Sequence, residues 1–222
     1  MTSNQQFLKT KLKQSDIRKI YKRISPYYDI WSSLVESKTH KRSLKIANLK
    51  DGHSVLEVAV GTGYFFSEIV KRNLTGRNEG IDITPEMINK AKKKLGKLSL
   101  SNYTLKTDDV FQLNYPENTF DFIFCNYMFD LLPEDQFIFI LQQFKKILRS
   151  NGCVLIINTT QGTHWYHKFW EILYKIHPVI MAGSRGISLS QYLVTAGFSD
   201  VKKEFISRLT YPSELVYGTI FK

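Results

Sequence analysis

Val55-Leu56-Glu57-Val58-Ala59-Val60-Gly61-Thr62-Gly63 constrains this chain more than any other stretch. An apolar run stops at a turn carrying two glycines one residue apart. A helical pattern with Phe65, Phe66, Ile69 and Val70 follows. Strand, glycine turn and helix in that order let the backbone approach a ligand closely and aim helix N-terminal N–H groups at it. The rest of the chain decides which ligand.

The same rhythm repeats downstream. A first strand over 54–60 and a helix over about 63–72 lead to a short second strand at 78–83. Thr84-Pro85 opens the next helix, with threonine as N-cap and proline at the first helical position. A third strand is expected at 102–107, and the apolar run Phe120–Asn126 suits a central strand buried on both faces. A helix starts at Pro133-Glu134-Asp135, and Asn151-Gly152 closes it. Cys153–Asn158 is another buried strand, and Ser188–Ala196 a short helix stopped by Gly197. Residues 200–209 and 214–221 read as two terminal strands with Pro212 in their turn. Alternating strands and helices predict an α/β fold: a Rossmann-like doubly wound sheet of seven strands, mostly parallel, ending in an antiparallel hairpin. The 222 residues suit a single domain, 1–222.

Two segments fall outside this rhythm. Residues 1–50 hold 12 Lys/Arg against 3 Asp/Glu, so most of the net charge of +11 lies there. Basic amphipathic spacing over 7–24, a second basic helix over 37–49 and the cluster Tyr27-Tyr28-Asp29-Ile30-Trp31 between them predict a helical lid. Its charge makes residues 1–24 a candidate for peripheral contact with an anionic membrane. Residues 159–187 are rich in His164, Trp165, Tyr166, His167, Phe169, Trp170 and Tyr174, and read as a cover over a site. No run reaches the ~18 apolar residues of a membrane span, and no secretion-signal core follows Met1–Gln6. Cys125 and Cys153 lie in apolar runs without metal-ligand spacing, so a cytoplasmic protein without a metal is expected.

Ligands of such sheets bind beyond the C-terminal strand ends. Those ends carry Gly61-Thr62-Gly63, Asp82, Asp108-Asp109 and Cys125-Asn126-Tyr127. An acid after the second strand suits a ribose diol, and Asp109 with the Val110 N–H suits an adenine edge. Phe66 occupies the third-glycine position of the dinucleotide fingerprint, which disfavours NAD, and no P-loop is present.

Taken together, Val55–Gly63, Gly80-Ile81-Asp82-Ile83-Thr84-Pro85-Glu86-Met87, Asp108–Leu113, Asn118–Ile123, Asn151–Ile157 and Ala196-Gly197-Phe198 resemble the successive motifs of class I S-adenosylmethionine-dependent methyltransferases. Within that family the chain looks most like the ubiquinone/menaquinone C-methyltransferases and the bacterial phospholipid N-methyltransferases. It lacks the arginine that quinone enzymes tend to carry after the fourth strand; here the run is Cys125-Asn126-Tyr127-Met128-Phe129.

The resemblance implies S-adenosylmethionine as cofactor and assigns roles by position. Glu57 would hold the amino group or support the loop. Ala59, where many members have glycine, would pass beneath the methionine moiety with Gly61, Thr62 and Gly63. Asp82 would take the ribose, Ile83 and Met87 the adenine face, and Asp109 and Val110 its edge. Cys125 and Asn126 would face the methionine end, and Tyr21 and Tyr28 would close over the sulfonium. Tyr28, His164, His167 and Asp130 are weak candidates to accept a proton. The expected acceptor is a small apolar, aromatic or lipid-like molecule. RNA or protein methylation, or a non-catalytic S-adenosylmethionine-binding interaction protein, stays open as an alternative. The Asn/Asp-Pro-Pro-Tyr/Phe motif of base-amino methyltransferases is absent after the fourth strand, which disfavours nucleic acid.

Overall fold

The computed structural model describes residues 16, 19–20, 29, 32–162, 164–176 and 183–221. Seven strands form one sheet in the order β3-β2-β1-β4-β5-β7-β6. They are β1 (Ser54–Val58), β2 (Arg77–Asp82), β3 (Tyr103–Thr107), β4 (Phe120–Asn126), β5 (Leu148–Thr159), β6 (Ser199–Arg208) and β7 (Tyr211–Thr219). The pairs among β1 to β5 are parallel, and β7 runs antiparallel to both β5 and β6. The expected doubly wound sheet is therefore present. Its order reverses between β1 and β4, where a crevice opens at the strand ends.

Helices α1 (Ser37–Ala47), α2 (Tyr64–Arg72) and α3 (Pro85–Leu95) cover one face. There Leu44, Phe66, Ile69 and Ala91 pack on Val55, Phe124 and Leu155. Helices α4 (Phe137–Ile147) and α6 (Ser190–Thr195) cover the other, where Phe137, Ile140, Phe144 and Leu193 meet Leu56, Ile123 and Val154. Neighbours in a strand thus feed opposite cores, which is why β1 and β4 read as unbroken apolar runs. Phe66 is fully buried. Its side chain contributes about 2–3 kcal/mol by leaving water, so the position that would be glycine in a dinucleotide fingerprint serves the core instead.

Gly63 caps α2 at φ 76°, and a Cβ there would meet the Ala91 Cβ and the Leu95 Cδ1 at 2.9 Å. That glycine lets α2 and α3 approach. Two local expectations are corrected. Asn151-Gly152 does not close α4, which ends at Ile147; both residues lie inside β5. Asn151 takes φ 62° at the register shift against β4 and donates to the Ile220 carbonyl. The final turn is not built on Pro212, which lies in β7 opposite Ser207. Leu209 and Thr210 make the turn, both left-handed at φ 49° and 65°. The described part of the 159–187 cover is a turn at Trp165–His167 followed by α5 (Lys168–Ile176). It packs on the hairpin end: the Trp170 indole N–H donates to the Thr210 carbonyl at 3.0 Å, and its ring meets Tyr211.

Candidate active site

The turn after β1 is fixed by its own backbone. The Val60 N–H donates to the Ile81 carbonyl at 2.9 Å and the Gly63 N–H to the Val60 carbonyl at 3.0 Å. Asp82 then braces the turn from β2. One carboxylate oxygen accepts from the Gly61 N–H at 2.9 Å and the other from the Thr84 N–H at 2.8 Å. The Thr84 side chain makes no capping bond, so Asp82 satisfies that helix end. Two N–H bonds leave lone pairs of this carboxylate for a diol. Burial lifts the Asp82 carboxyl above its ordinary value, against those two N–H bonds.

Ala59, Gly61, Asp82, Ile83, Met87, Asp109 and Val110 line one cleft of about 840 Å³, open at its mouth. Asp108 lines it too. Its carboxylate accepts from the Asp109 N–H at 2.8 Å, and that of Asp109 from the Phe111 N–H at 3.1 Å, shaping the turn Val110–Gln112.

A second cleft of about 310 Å³ adjoins it, lined by Ser32, Glu36, His40, Glu57, Thr62, Tyr64 and Phe65 among others. Ala59, Gly61, Asn126 and Tyr127 line both clefts. Two of these four, Ala59 (φ 60°) and Tyr127 (φ 52°), hold left-handed backbone without being glycine. Such strain of about 1–2 kcal/mol per residue persists only where surrounding structure imposes it. At Tyr127 the N–H is tied to the Ile157 carbonyl and the phenol to the Ser213 hydroxyl at 2.9 Å.

Buried polar atoms collect at this junction. The Asn126 amide donates to one Glu57 carboxylate oxygen at 3.2 Å. Among the described residues, the other Glu57 oxygen and the Asn126 carbonyl oxygen have no partner, nor does either His40 ring nitrogen. Burial, and secondarily the Asp82 charge, push Glu57 well above the ordinary carboxyl range, while burial lowers His40 to about 3. Burial in this cleft therefore favours neutral forms of both. A cation brought beside Glu57 would favour its carboxylate.

These features meet the needs of an adenosine bearing a charged tail. The profile of the family described as "Methyltransferase domain" matches residues 55–152. A demethylmenaquinone methyltransferase of Listeria welshimeri is 24% identical over 218 residues, covering 87% of this chain and 92% of that protein. One from Halalkalibacterium halodurans is 26% identical over 159 residues, covering 69% of this chain; the chain spans 64% of that relative's length. Residues 55–152 thus match a methyltransferase domain, and the chain is similar over most of its length to S-adenosylmethionine-dependent methyltransferases.

The fold of this protein agrees with solved structures. A SAM-dependent methyltransferase from Aquifex aeolicus superposes with a TM-score of 0.61 at 23% identity, covering 95% of this chain and 100% of that one. The magnesium protoporphyrin IX methyltransferase from Synechocystis, with bound SAH, gives 0.64 at 16% identity, covering 93% and 86%.

The residues present fit the cofactor. Asp82 retains free lone pairs, Ile83 and Met87 offer apolar contact, and the orphaned Glu57 and Asn126 oxygens suit an ammonium. Bound there, S-adenosylmethionine would supply a methyl group on a sulfonium sulfur, whose transfer needs an in-line nucleophile and exclusion of water.

Other sequence expectations fall elsewhere in this protein. Thr62 lines only the smaller cleft and donates to the Asp29 carboxylate, which Lys94 also grips at 2.7 Å. Gly63 and Cys125 line neither cleft. Gly63 serves helix packing, and the Cys125 thiol is buried against the Met128 sulfur and pushed well up by burial. His164 and His167 also line neither cleft: His164 is exposed, and His167 packs beside Phe205 with a ring nitrogen 3.3 Å from the Ser207 hydroxyl. Asp130 is a structural strut. Its carboxylate accepts from the Ser184 hydroxyl at 2.6 Å and the Thr159 N–H at 3.2 Å, while Arg185 donates to the Asp130 and Leu132 carbonyls. Tyr21 and Tyr28 lie outside the described residues.

Sequence reasoning missed Glu36 and His40, and it placed Tyr127 at the fourth strand end without a role. Glu36 and His40 stand four residues apart in a stretch read only as basic and helical. That i, i+4 spacing of an acid and an imidazole was the available signal.

Proposed function

We propose that this protein transfers a methyl group from S-adenosylmethionine to a small, ring-bearing, apolar acceptor held at the junction of the two clefts. The observation that carries this is the pair of strained residues, Ala59 and Tyr127, shared by both clefts beside the unpartnered oxygens of Glu57 and Asn126. In this reading Asp82, Asp109 and Val110 hold the adenosine in the larger cleft. Glu57 and Asn126 receive the methionine ammonium. Gly61 gives the tail passage beneath. The acceptor enters through the smaller cleft, whose Tyr64, Phe65 and Tyr127 rings suit a flat apolar body. Neutral His40 presents one N–H and one lone pair there, a match for an acceptor hydroxyl. It orients that group without placing a second positive charge near the sulfonium. The relatives' named substrate, demethylmenaquinone, agrees with this acceptor class. In the same reading, the basic residues of 1–24 contact anionic lipid from the cytoplasmic side.

A second reading has its own support. Two buried carboxyl groups, Glu36 and Glu57, line the smaller cleft, and an amine acceptor would use them.

Radiolabelled methyl transfer decides among these. Label is expected in 1,4-dihydroxynaphthalene or in the quinone fraction of a lipid extract. His40→Asn is expected to raise the acceptor KM while leaving S-adenosylmethionine affinity unchanged. Label in phosphatidylethanolamine would favour the amine reading. Label confined to RNA or protein fractions would overturn both, and cofactor binding without any transfer would indicate a non-catalytic binder.

A further inference from the structure

The aromatic segment expected to cover the site turns its apolar side to solvent. Trp165, Phe169, Ile172 and Ile176 are 83%, 58%, 53% and 67% exposed. Their spacing of four, three and four residues puts them on one face of α5 and the turn before it. The opposite side is engaged: Trp170 on Thr210 and Tyr211, His167 on Ser207 and Phe205. On the neighbouring hairpin, Phe205 and Leu209 are 42% and 64% exposed. A soluble helix normally turns such a stripe inward, so a continuous outward one marks a contact surface.

We infer that this stripe is an interfacial docking element that lies in the surface of an anionic lipid bilayer. Charge selects this occupant. Lys175 belongs to α5 itself. Exposed Lys38 reaches the Ser207 carbonyl at 3.3 Å, and Arg208 donates to the Ser37 hydroxyl, so both stand beside the hairpin that α5 covers. Ser37 and Lys38 belong to the N-terminal segment that carries most of the net charge of +11. An apolar helix face bordered by basic side chains, with a tryptophan at one end, matches a bilayer surface with an apolar interior and anionic headgroups. A second copy of this chain would instead bring like charges together. This inference is independent of the methyl acceptor, and it places lipid contact in the C-terminal half of the chain rather than in residues 1–24 alone.

The test is flotation of the full chain with vesicles of phosphatidylglycerol mixed with phosphatidylcholine, against phosphatidylcholine alone. Wild type is expected to float with the anionic vesicles and to release as salt rises. The triple variant Phe169→Ser, Ile172→Ser, Ile176→Ser is expected to partition at least ~10-fold more weakly. These side chains are exposed, so its thermal midpoint and its S-adenosylmethionine affinity should stay at wild-type values, separating this inference from the methyl-transfer reading. Wild type that fails to float overturns the inference. So does a triple variant that floats as well as wild type while deletion of 1–24 abolishes flotation. Light scattering that shows a wild-type dimer, dissolved by the triple substitution and blind to vesicles, assigns the stripe to self-association instead.

Discussion

The two clefts that meet at Ala59, Gly61, Asn126 and Tyr127 are assembled in different ways. The larger one is lined mostly from turns that directly follow β1, β2, β3 and β4, and its carboxylates are already engaged: Asp82 by Gly61 and Thr84, Asp109 by Phe111. The smaller one draws Ser32, Glu36 and His40 from the helical stretch before the sheet, and it leaves polar atoms of His40, Glu57 and Asn126 unpartnered. One half is pre-organised by its own backbone. The other keeps buried polar capacity for a ligand to satisfy. Unpaired buried groups cost stability, so a site that retains several carries them for binding.

The largest expected effect tests the pre-organised half. Asp82→Ala removes the brace of the glycine turn and the proposed acceptor of the ribose. Calorimetry should show S-adenosylmethionine affinity falling by about 3–4 kcal/mol, at least ~100-fold. Unchanged affinity would end the comparison, because the larger cleft would then not be the adenosine site.

Next comes the segment at 183–189. Asp130→Ala strands the Thr159 N–H, leaves the Ser184 hydroxyl only to the Thr159 and Tyr211 hydroxyls, and should cost about 2–3 kcal/mol in denaturant unfolding. Cofactor affinity should hold within about twofold, since Asp130 lines neither cleft. A large loss of affinity would mean that the two halves are not separable.

His40 sharpens the contrast through pH. Its value falls from 6.5 to about 3 on folding, so between these limits the unfolded chain binds a proton that the folded chain refuses. Stability from this group is complete above pH 6.5 and is lost as pH falls toward 3. Between pH 7 and pH 5 wild type should lose about 2 kcal/mol more than His40→Asn. Glu57, Asp82 and Asp130 carry raised values and act in the opposite sense, but they are common to both proteins and cancel in the difference. Equal acid sensitivity of the two would show that His40 is not held neutral in the smaller cleft.

The smallest effect concerns strain. Ala59→Gly should stabilise the protein by about 1 kcal/mol, because glycine takes φ 60° without the Cβ penalty. Thermal unfolding reads this directly. A loss of stability would mean that the alanine methyl contributes packing worth more than the strain.

The legible parts of this molecule were written in short sequence windows. Gly61-Thr62-Gly63, Asp82 and Asp109-Val110 each sit at the end of an apolar run, and strand-then-turn is a local signal. Where the local signal misled, tertiary contacts had overruled it. Asn151-Gly152 looked like a helix stop, yet pairing with Ile220 drew it into β5. Leu209-Thr210 carries no turn residue, yet the register of β6 on β7 forces both into left-handed backbone and leaves Pro212 in a strand. Composition marks the aromatic run after β5 but says nothing about which side of its helix faces inward; there Trp165, Phe169, Ile172 and Ile176 are exposed.

For the glycine turn itself, the sequence determined where the backbone would bend, that Asp82 would stand beside it, and that an adenosine ligand fits better than a dinucleotide. The tertiary structure decided that Glu57 would face Asn126, that His40 would be buried without a partner, and that Tyr127 would be held in a strained conformation where both clefts meet. The reason is range. A turn depends on a few adjacent torsions, whereas the polarity of a cleft depends on which distant side chains the sheet order brings together and how much water they exclude.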